Sequence, residues 1–362
     1  MDMIEVKKPT LIVNEKVARK NIIRMAHKAN HQGLSLRPHF KTHQSKEVGE
    51  WYREAGVEKI TVSSVSMASY FVEHGWKDIT IAFPYNLLEY KEINALSQNC
   101  DLNVVIESPE SLDHLKRHVT GPIGYFLKID VGYHRTGILA NHSERIAQLA
   151  NQASGDLVFK GLLAHAGHSY HCRSAGEIQK VFDQSLKELE RAANSFPEKP
   201  YLSFGDTPTA SVVNNFGPID ELRPGNFIFY DLMQTQIGSC HLEDVAIVLA
   251  CPIVAKHEER LEIVVYGGGV HLSKDRLKDE GGQEYYGQVV EFRDTSWIPT
   301  QSRLVRLSQE HGIIKCSREL FHNYKVGDVI GILPVHSCMS VDLMPGYYTF
   351  EGKPLTKLTK EL

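Results

Sequence analysis

The chain lacks several features that would have placed it in other classes. Its six cysteines (100, 172, 240, 251, 316 and 338) contain no CxxC pair. In 362 residues that argues for free thiols rather than a disulfide framework. No apolar run approaches the roughly 20 residues needed to cross a bilayer. The opening MDMIEVKKPTLIV has no signal-peptide core, so the expectation is a cytoplasmic protein without a membrane partner. Neither charge sign dominates: the net charge of −4 offers no electrostatic ground for a nucleic-acid or anionic-lipid partner. The nucleotide-binding patterns GxGxxG and GxxxxGK[ST] are absent, as are repeats and low-complexity tracts.

What is present reads as a soluble globular chain, 42% hydrophobic and 23% charged, long enough for one large or two ordinary domains. Eighteen histidines, several clustered, hint at metal or proton chemistry, although surface histidine is the commoner explanation. Over the first two-thirds, strand-like runs (LSLRPHFKT, EKITVSS, DITIAFP, LNVVIES, GYFLKIDV, LVFKGLLAHAG, YLSFG) alternate with amphipathic helix-like runs, of which AGEIQKVFDQSLKELERAANSF is the longest. Strand–helix alternation predicts βαβ units, and about eight of them predict an α/β (β/α)8 barrel of TIM type over residues 14–235. After about residue 235 short β-rich runs predict a mainly antiparallel β domain over 236–362, joined by an N-terminal strand within residues 1–13.

RPHFKTH, residues 37–43, sets Arg37, His39, Lys41 and His43 at alternate positions. Read as a strand, it points four basic groups to one face. A lysine crowded by cations and partly desolvated has a lowered pKa and becomes a nucleophile able to form a Schiff base. The alternative is an edge strand with basic side chains. In KIDVGYHRTGI, Arg135 follows a strand end and can neutralise a phenolate or carboxylate, or be an ordinary surface arginine. GLLAHAGHSYHC places His165 and His168 among small residues, with Tyr170 beyond. An imidazole there can stack on a flat ring, join a metal cluster or sit satisfied in the core. SFGDTPTAS and ELRPGNFIFYD carry Thr209, Ser211, Gly225 and Asn226, whose hydroxyls and backbone N–H groups suit a phosphate. VYGGGVHL reads as a tight backbone approach rather than a phosphate loop. In PVHSCMSVDL, His336 and Cys338 share a strand face; imidazole with thiolate suits Zn²⁺ first, with Mn²⁺ or Co²⁺ as alternatives, and a buried strand pair is the plain reading.

Taken in this order, the stretches resemble the fold-type III pyridoxal-phosphate enzymes, in particular the D-serine dehydratase and D-threonine aldolase family, relatives of alanine racemase. RPHFKTH is similar to the family's RPHxKTH, and the similarity runs over about residues 8–345. The resemblance implies that Lys41, with His39 beside it, carries pyridoxal 5'-phosphate. It implies that Arg135 meets the cofactor's 3′ oxygen, His165 stacks on its ring and Tyr170 faces the lysine in catalysis. Thr209, Ser211, Gly225, Asn226 and Tyr230 would hold the phosphate, and His336 and Cys338 a divalent metal. The chain departs from the pattern at Gln44, where many members have lysine, and at VYGGGVHL, where many have a DAGSKALS-like stretch. Asp206 beside a phosphate is unfavourable unless it faces away.

The implied activity is a pyridoxal-phosphate- and metal-dependent lyase acting on a β-hydroxy D-amino acid, giving a 2-oxo acid and ammonia. D-Serine, D-threonine and 3-hydroxy-D-aspartate all fit, and Arg37 or His43 could greet a second carboxylate. Aldol cleavage to glycine and an aldehyde is the alternative; members with HxC at the metal, rather than HxD, resemble the dehydratases. A racemase would need a second acid/base and no metal, and a non-catalytic carrier of the cofactor would need no β domain. The resemblance also implies a homodimer.

Overall fold

The computed structural model describes residues 5–359. Eight parallel strands run in the order Ser35–Leu36, Glu221–Leu222, Leu202–Gly205, Leu157–His165, Ile123–Asp130, Asp101–Ile106, Asp78–Pro84 and Lys59–Val62. A parallel bridge between His39 and Thr61 closes the ring. There the Thr61 N–H donates to Pro38 O at 2.9 Å and its hydroxyl to Arg37 O at 3.0 Å. The eighth strand, Glu221–Leu222, lies in ELRPGN, where its shortness left no periodic signal.

Helices follow the strands on capping residues. Ser45, Ser64, Ser108 and Ser174 each accept a bond from the backbone N–H three residues on, and Asp206 does the same for Thr209. These caps stop each strand and turn the chain outward, which leaves side chains at the strand ends facing the barrel mouth.

Period-two alternation separates two environments. On Ile123–Asp130, Tyr125, Leu127 and Ile129 join the large apolar cluster beneath the helices, whereas Phe126 packs with Val105 and Leu163 in a small separate cluster. The inward positions that follow are polar. Arg37 bonds Asp78 (2.5 and 3.2 Å) and Glu221 (2.8 Å). Glu221 accepts from Ser203 (2.6 Å), and Ser203 accepts from Arg223 (2.7 Å). Removing one partner from such a buried network typically costs about 3–5 kcal/mol.

Among the described residues a second, nine-stranded sheet holds Glu262–Tyr266, His311–Lys315, Ser296–Leu307, Gly287–Arg293, Val329–Pro334, Ile247–His257, Thr10–Val13, Tyr347–Thr349 and Pro354–Leu355. Its pairings are antiparallel except between Thr10–Val13 and Tyr347–Thr349. Asn14 couples the two parts. Its side chain caps the helix Glu15–His31, while its own N–H donates to Ala246 O. Among the described residues no helix is long and apolar enough to cross a membrane.

Candidate active site

RPHFKTH is not a strand. The strand ends at Leu36, His39 makes a single isolated bridge to Thr61, and Phe40–Thr42 form one 3-10 turn. Phe40 anchors that turn, its ring meeting His43, Tyr52, Phe71 and Trp76 at centroid distances of 4.3 to 5.0 Å. The four basic side chains therefore part company. Arg37 goes down to its carboxylates, His43 is fully buried against Phe40 and Tyr52, and Lys41 alone is exposed. The alternation that marked the stretch arises from a turn that sorts its side chains between core and mouth.

A cleft of about 1410 Å³ opens over Lys41, His336 and Cys338 and runs between the helices Val65–Glu73 and Tyr90–Ser97. His39 and His165 stand by Lys41, with Arg223, Lys128 and Arg135 close to His165. Burial, then the charges of Lys41 and Arg223, hold His39 well below the usual histidine range. Burial, then Lys128 and Lys41, do the same to His165. His165 Nδ1 donates to Gly205 O at 2.5 Å, which leaves Nε2 as its free acceptor. Burial, aided by Arg223 and Arg135, pushes the Lys128 amine well down towards neutrality. Arg135 also lies over the Tyr133 ring at 5.0 Å. Its loop is tied by Asp130, which accepts the N–H groups of Gly132 and His134 at 3.0 Å each.

The predicted phosphate residues divide. Gly225 packs against the lysine turn: a Cβ there would meet His39 Cβ and O at 3.0 Å. The N–H groups of Gly225 and Asn226 both donate to Thr207 Oγ1, and Thr209 lies buried beside Asp206. Ser211 and Tyr230, 3.0 Å apart, line a different cavity of about 620 Å³ with Arg24 and Lys28. Asp206 turns to Ser169 and the Thr209 N–H, and burial raises its pKa to about 6. The Tyr170 hydroxyl bonds Thr207, and burial with Asp206 and Cys338 pushes its pKa up. The cations gathered around His39 and His165 fit a phosphate-bearing aldehyde on Lys41.

His336 and Cys338 do not share a strand face. His336 stands at the N-cap position of the helix Ser337–Leu343 without a side-chain cap bond, and Cys338 lies in its first turn. The two side chains lie close enough to shift each other's charge. Burial opposes charge on both, but Asp275 and Cys338 hold His336 protonated and His336 draws Cys338 towards thiolate. Among the described residues no group of three or more His, Cys, Asp or Glu could hold a metal ion. The pair offers two donors and leaves the rest of a coordination shell to substrate and water.

The His336–Cys338 pair and the lysine turn are joined directly. Thr42 Oγ1 lies 3.3 Å from Cys338 Sγ. Gln44 donates to Lys41 O (3.2 Å) and to Asp342 Oδ1 (2.9 Å), bridging the turn to the Cys338 helix. Asn226 donates to Cys338 Sγ (3.5 Å), Ser337 Oγ (3.0 Å) and Asp231 Oδ2 (2.7 Å). Sequence reasoning missed Asp231, Arg223, Lys128 and Asp275. Lys128 and Arg223 lay inside quoted motifs, but the column that makes them part of the mouth is visible only in three dimensions.

Comparison with known proteins agrees with this architecture. Residues 13–232 match the alanine racemase N-terminal domain family, and residues 246–350 the serine dehydratase domain family. D-serine dehydratase of Dictyostelium discoideum is 30% identical, over 97% of this chain and 95% of its own. The structure of D-threo-3-hydroxyaspartate dehydratase from Delftia sp. HT23 superposes with a TM-score of 0.89 at 25% identity, covering 100% of both chains. D-threonine aldolase from Filomicrobium marinum superposes at 0.84 with 19% identity, covering 98% of this chain and 95% of its own, which shows the fold.

Proposed function

This chain belongs to the D-serine dehydratase and D-threonine aldolase family of alanine racemase-like enzymes and is a lyase, and we propose that it eliminates the β-hydroxyl of D-serine to give pyruvate and ammonia. One observation carries this reading: the 3.3 Å contact between Thr42 and Cys338 puts the Lys41 amine and the His336–Cys338 pair in one cleft.

Pyridoxal phosphate held at Lys41 supplies an electron sink for the charge left at Cα. Zn²⁺, Mn²⁺ or Co²⁺ held by His336 and Cys338 supplies a Lewis acid that improves hydroxide as a leaving group. The chain's own groups do the rest. Lys41 Nζ would take the Cα proton. His39 and His165, held neutral, face the cofactor position without adding charge to it. Arg135, Arg223 and the Thr209 hydroxyl supply attraction for its anionic oxygens. The buried Tyr170, kept protonated, serves as a donor beside Thr207.

Substrate size follows from which cations are available. Arg37 is locked by Asp78 and Glu221, and His43 is enclosed by aromatic rings. Neither is free to meet a second carboxylate, which favours D-serine over 3-hydroxy-D-aspartate. Phe83 and Leu88, 59% and 88% exposed, support a homodimer that would cover them. The test is to incubate the cofactor- and metal-loaded protein with D-serine, D-threonine and 3-hydroxy-D-aspartate, with and without EDTA, assaying 2-oxo acid and glycine separately. EDTA-sensitive pyruvate without glycine is expected. Glycine with an aldehyde would replace dehydration by aldol cleavage.

A further inference from the structure

The glycine-rich stretch 267–269 leads to a carboxylate that the proposed reaction has not used. Gly267, Gly268 and Gly269 lie against the turn 308–310. The N–H of Gly267 donates to Glu310 O at 3.0 Å and that of Gly269 to Ser308 O at 2.8 Å. A Cβ on Gly268 would meet Gln309 O at 2.3 Å, and one on Gly267 the Cys251 sulfur at 2.4 Å. Only glycine lets the chain pass this close. The one-turn helix Gly269–Leu272 then ends at Ser273, a non-glycine residue with φ +69° and ψ −173°. Such backbone persists only where its surroundings dictate it, and it clusters at functional sites. Here it aims the next residues at the cleft. The Ser273 hydroxyl donates to Asp275 Oδ2 at 3.1 Å and accepts from the Asp275 N–H at 3.1 Å. Asp275 Oδ2 in turn lies 3.0 Å from His336 Nδ1.

We propose that Asp275 is a positioning residue that holds His336 through Nδ1, so that Nε2 is the nitrogen presented to a divalent metal beside Cys338. This rests on the metal reading above. A ring with Nδ1 engaged has one nitrogen left to ligate, and a carboxylate behind it fixes its plane and raises its basicity. With only two protein donors, His336 and Cys338, little else holds the imidazole in register. The strained Ser273 turn and the glycine run against 308–310 are the structural means of putting a carboxylate there.

The test uses the cofactor-loaded enzyme, stripped of metal and titrated with Zn²⁺ against a chromophoric chelator, then with Co²⁺ for its visible spectrum. Asp275→Ala is expected to weaken Zn²⁺ binding roughly 10–100-fold and to alter the Co²⁺ bands, with bound-cofactor absorbance unchanged. Asp275→Asn keeps the size and an acceptor oxygen, so it guards against misfolding and should fall between Asp275→Ala and the unchanged protein. Ser273→Ala, which removes only the bracing hydroxyl, should lose a few-fold. Unchanged affinity and unchanged Co²⁺ bands in Asp275→Ala or, should that variant not fold, in Asp275→Asn overturn the assignment. A protein that binds no ion before mutation overturns the metal reading itself, and Asp275 with it.

Discussion

The two sides of the cleft treat histidine in opposite ways. At the barrel mouth His39 and His165 are held neutral, because burial and the nearby Lys41, Lys128 and Arg223 all oppose another positive charge. On the β-domain side Asp275 and the Cys338 sulfur draw positive charge to His336 against its burial, and a divalent cation would take the place of that proton. The same side chain thus reports the sign of each wall. One wall is short of negative charge and suits an anion; the other is short of positive charge and suits a cation. A phosphate-bearing cofactor and a divalent metal need this division, and the two walls meet at the Thr42–Cys338 contact.

The largest expected effect comes from removing the group on which the anion side is centred. Lys41→Ala should lower turnover about 10⁴-fold, the upper end of what a positioned proton-transfer group supplies. Borohydride should fix the cofactor to the unaltered protein and not to the variant, while metal content stays the same. Cys338→Ala is the mirror experiment. Loss of a Lewis acid worth several kcal/mol should slow elimination about 10²–10³-fold, with EDTA producing the same loss in the unaltered protein and cofactor absorbance retained. If either variant lost both ligands, the two walls would be one site and the comparison would fail.

A smaller effect tests the neutral histidines through stability. Burial pushes His43, next to Phe40 in the lysine turn, down to about 3. Its folded value lies below its ordinary value near 6.5, so the unfolded chain binds a proton that the folded one refuses. The stability it contributes is complete above about pH 6.5 and is lost as pH falls towards 3. At pH 5 the loss is about 2 kcal/mol. His43→Asn keeps an acceptor for the Ser45 N–H, which His43 Nδ1 now takes at 3.1 Å. The variant should be less stable overall, yet urea unfolding from pH 7 to 5 should show a slope flatter by that amount. An unchanged slope would mean that His43 is not buried neutral.

How far the sequence carried differs between these walls for a physical reason. The barrel was legible because its strands and helices follow one another at short range, and period-two alternation marks each strand's two faces. Lys41, His165 and Arg135 stood at strand ends, where a barrel's functional groups collect. The conformation of RPHFKTH was not legible. Its alternation of basic and other residues is the pattern of a strand, and the aromatic pocket around Phe40 that turns it into a 3-10 turn is built from Tyr52, Phe71 and Trp76, far along the chain. His336 and Cys338 were visible as a pair, but their helical setting was not, because the helix is capped by Asp231, more than 100 residues away. Asp275 had no local signal at all; only the path set by Gly268 and Ser273 brings it to His336.

The smallest expected effect probes the seam itself. Gly225 lies where the segment after Glu221–Leu222 crosses the lysine turn. An added Cβ would stand 3.0 Å from His39 Cβ and O and 3.2 Å from Thr42 Oγ1, so the turn must shift by a few tenths of an ångström. Overpacking of this kind costs about 1–3 kcal/mol. Because Thr42 is also the residue that touches Cys338, the shift has two routes outward. Gly225→Ala should weaken cofactor binding about tenfold, or about 1.4 kcal/mol, since the displaced atoms are those of the turn that carries Lys41. Metal affinity should change much less: Asn226, Ser337 and Asp231 hold the Cys338 helix independently of Thr42. Equal losses of cofactor and metal would show that Thr42 transmits position between the walls. A loss confined to the cofactor would show that the walls are built separately and only meet there.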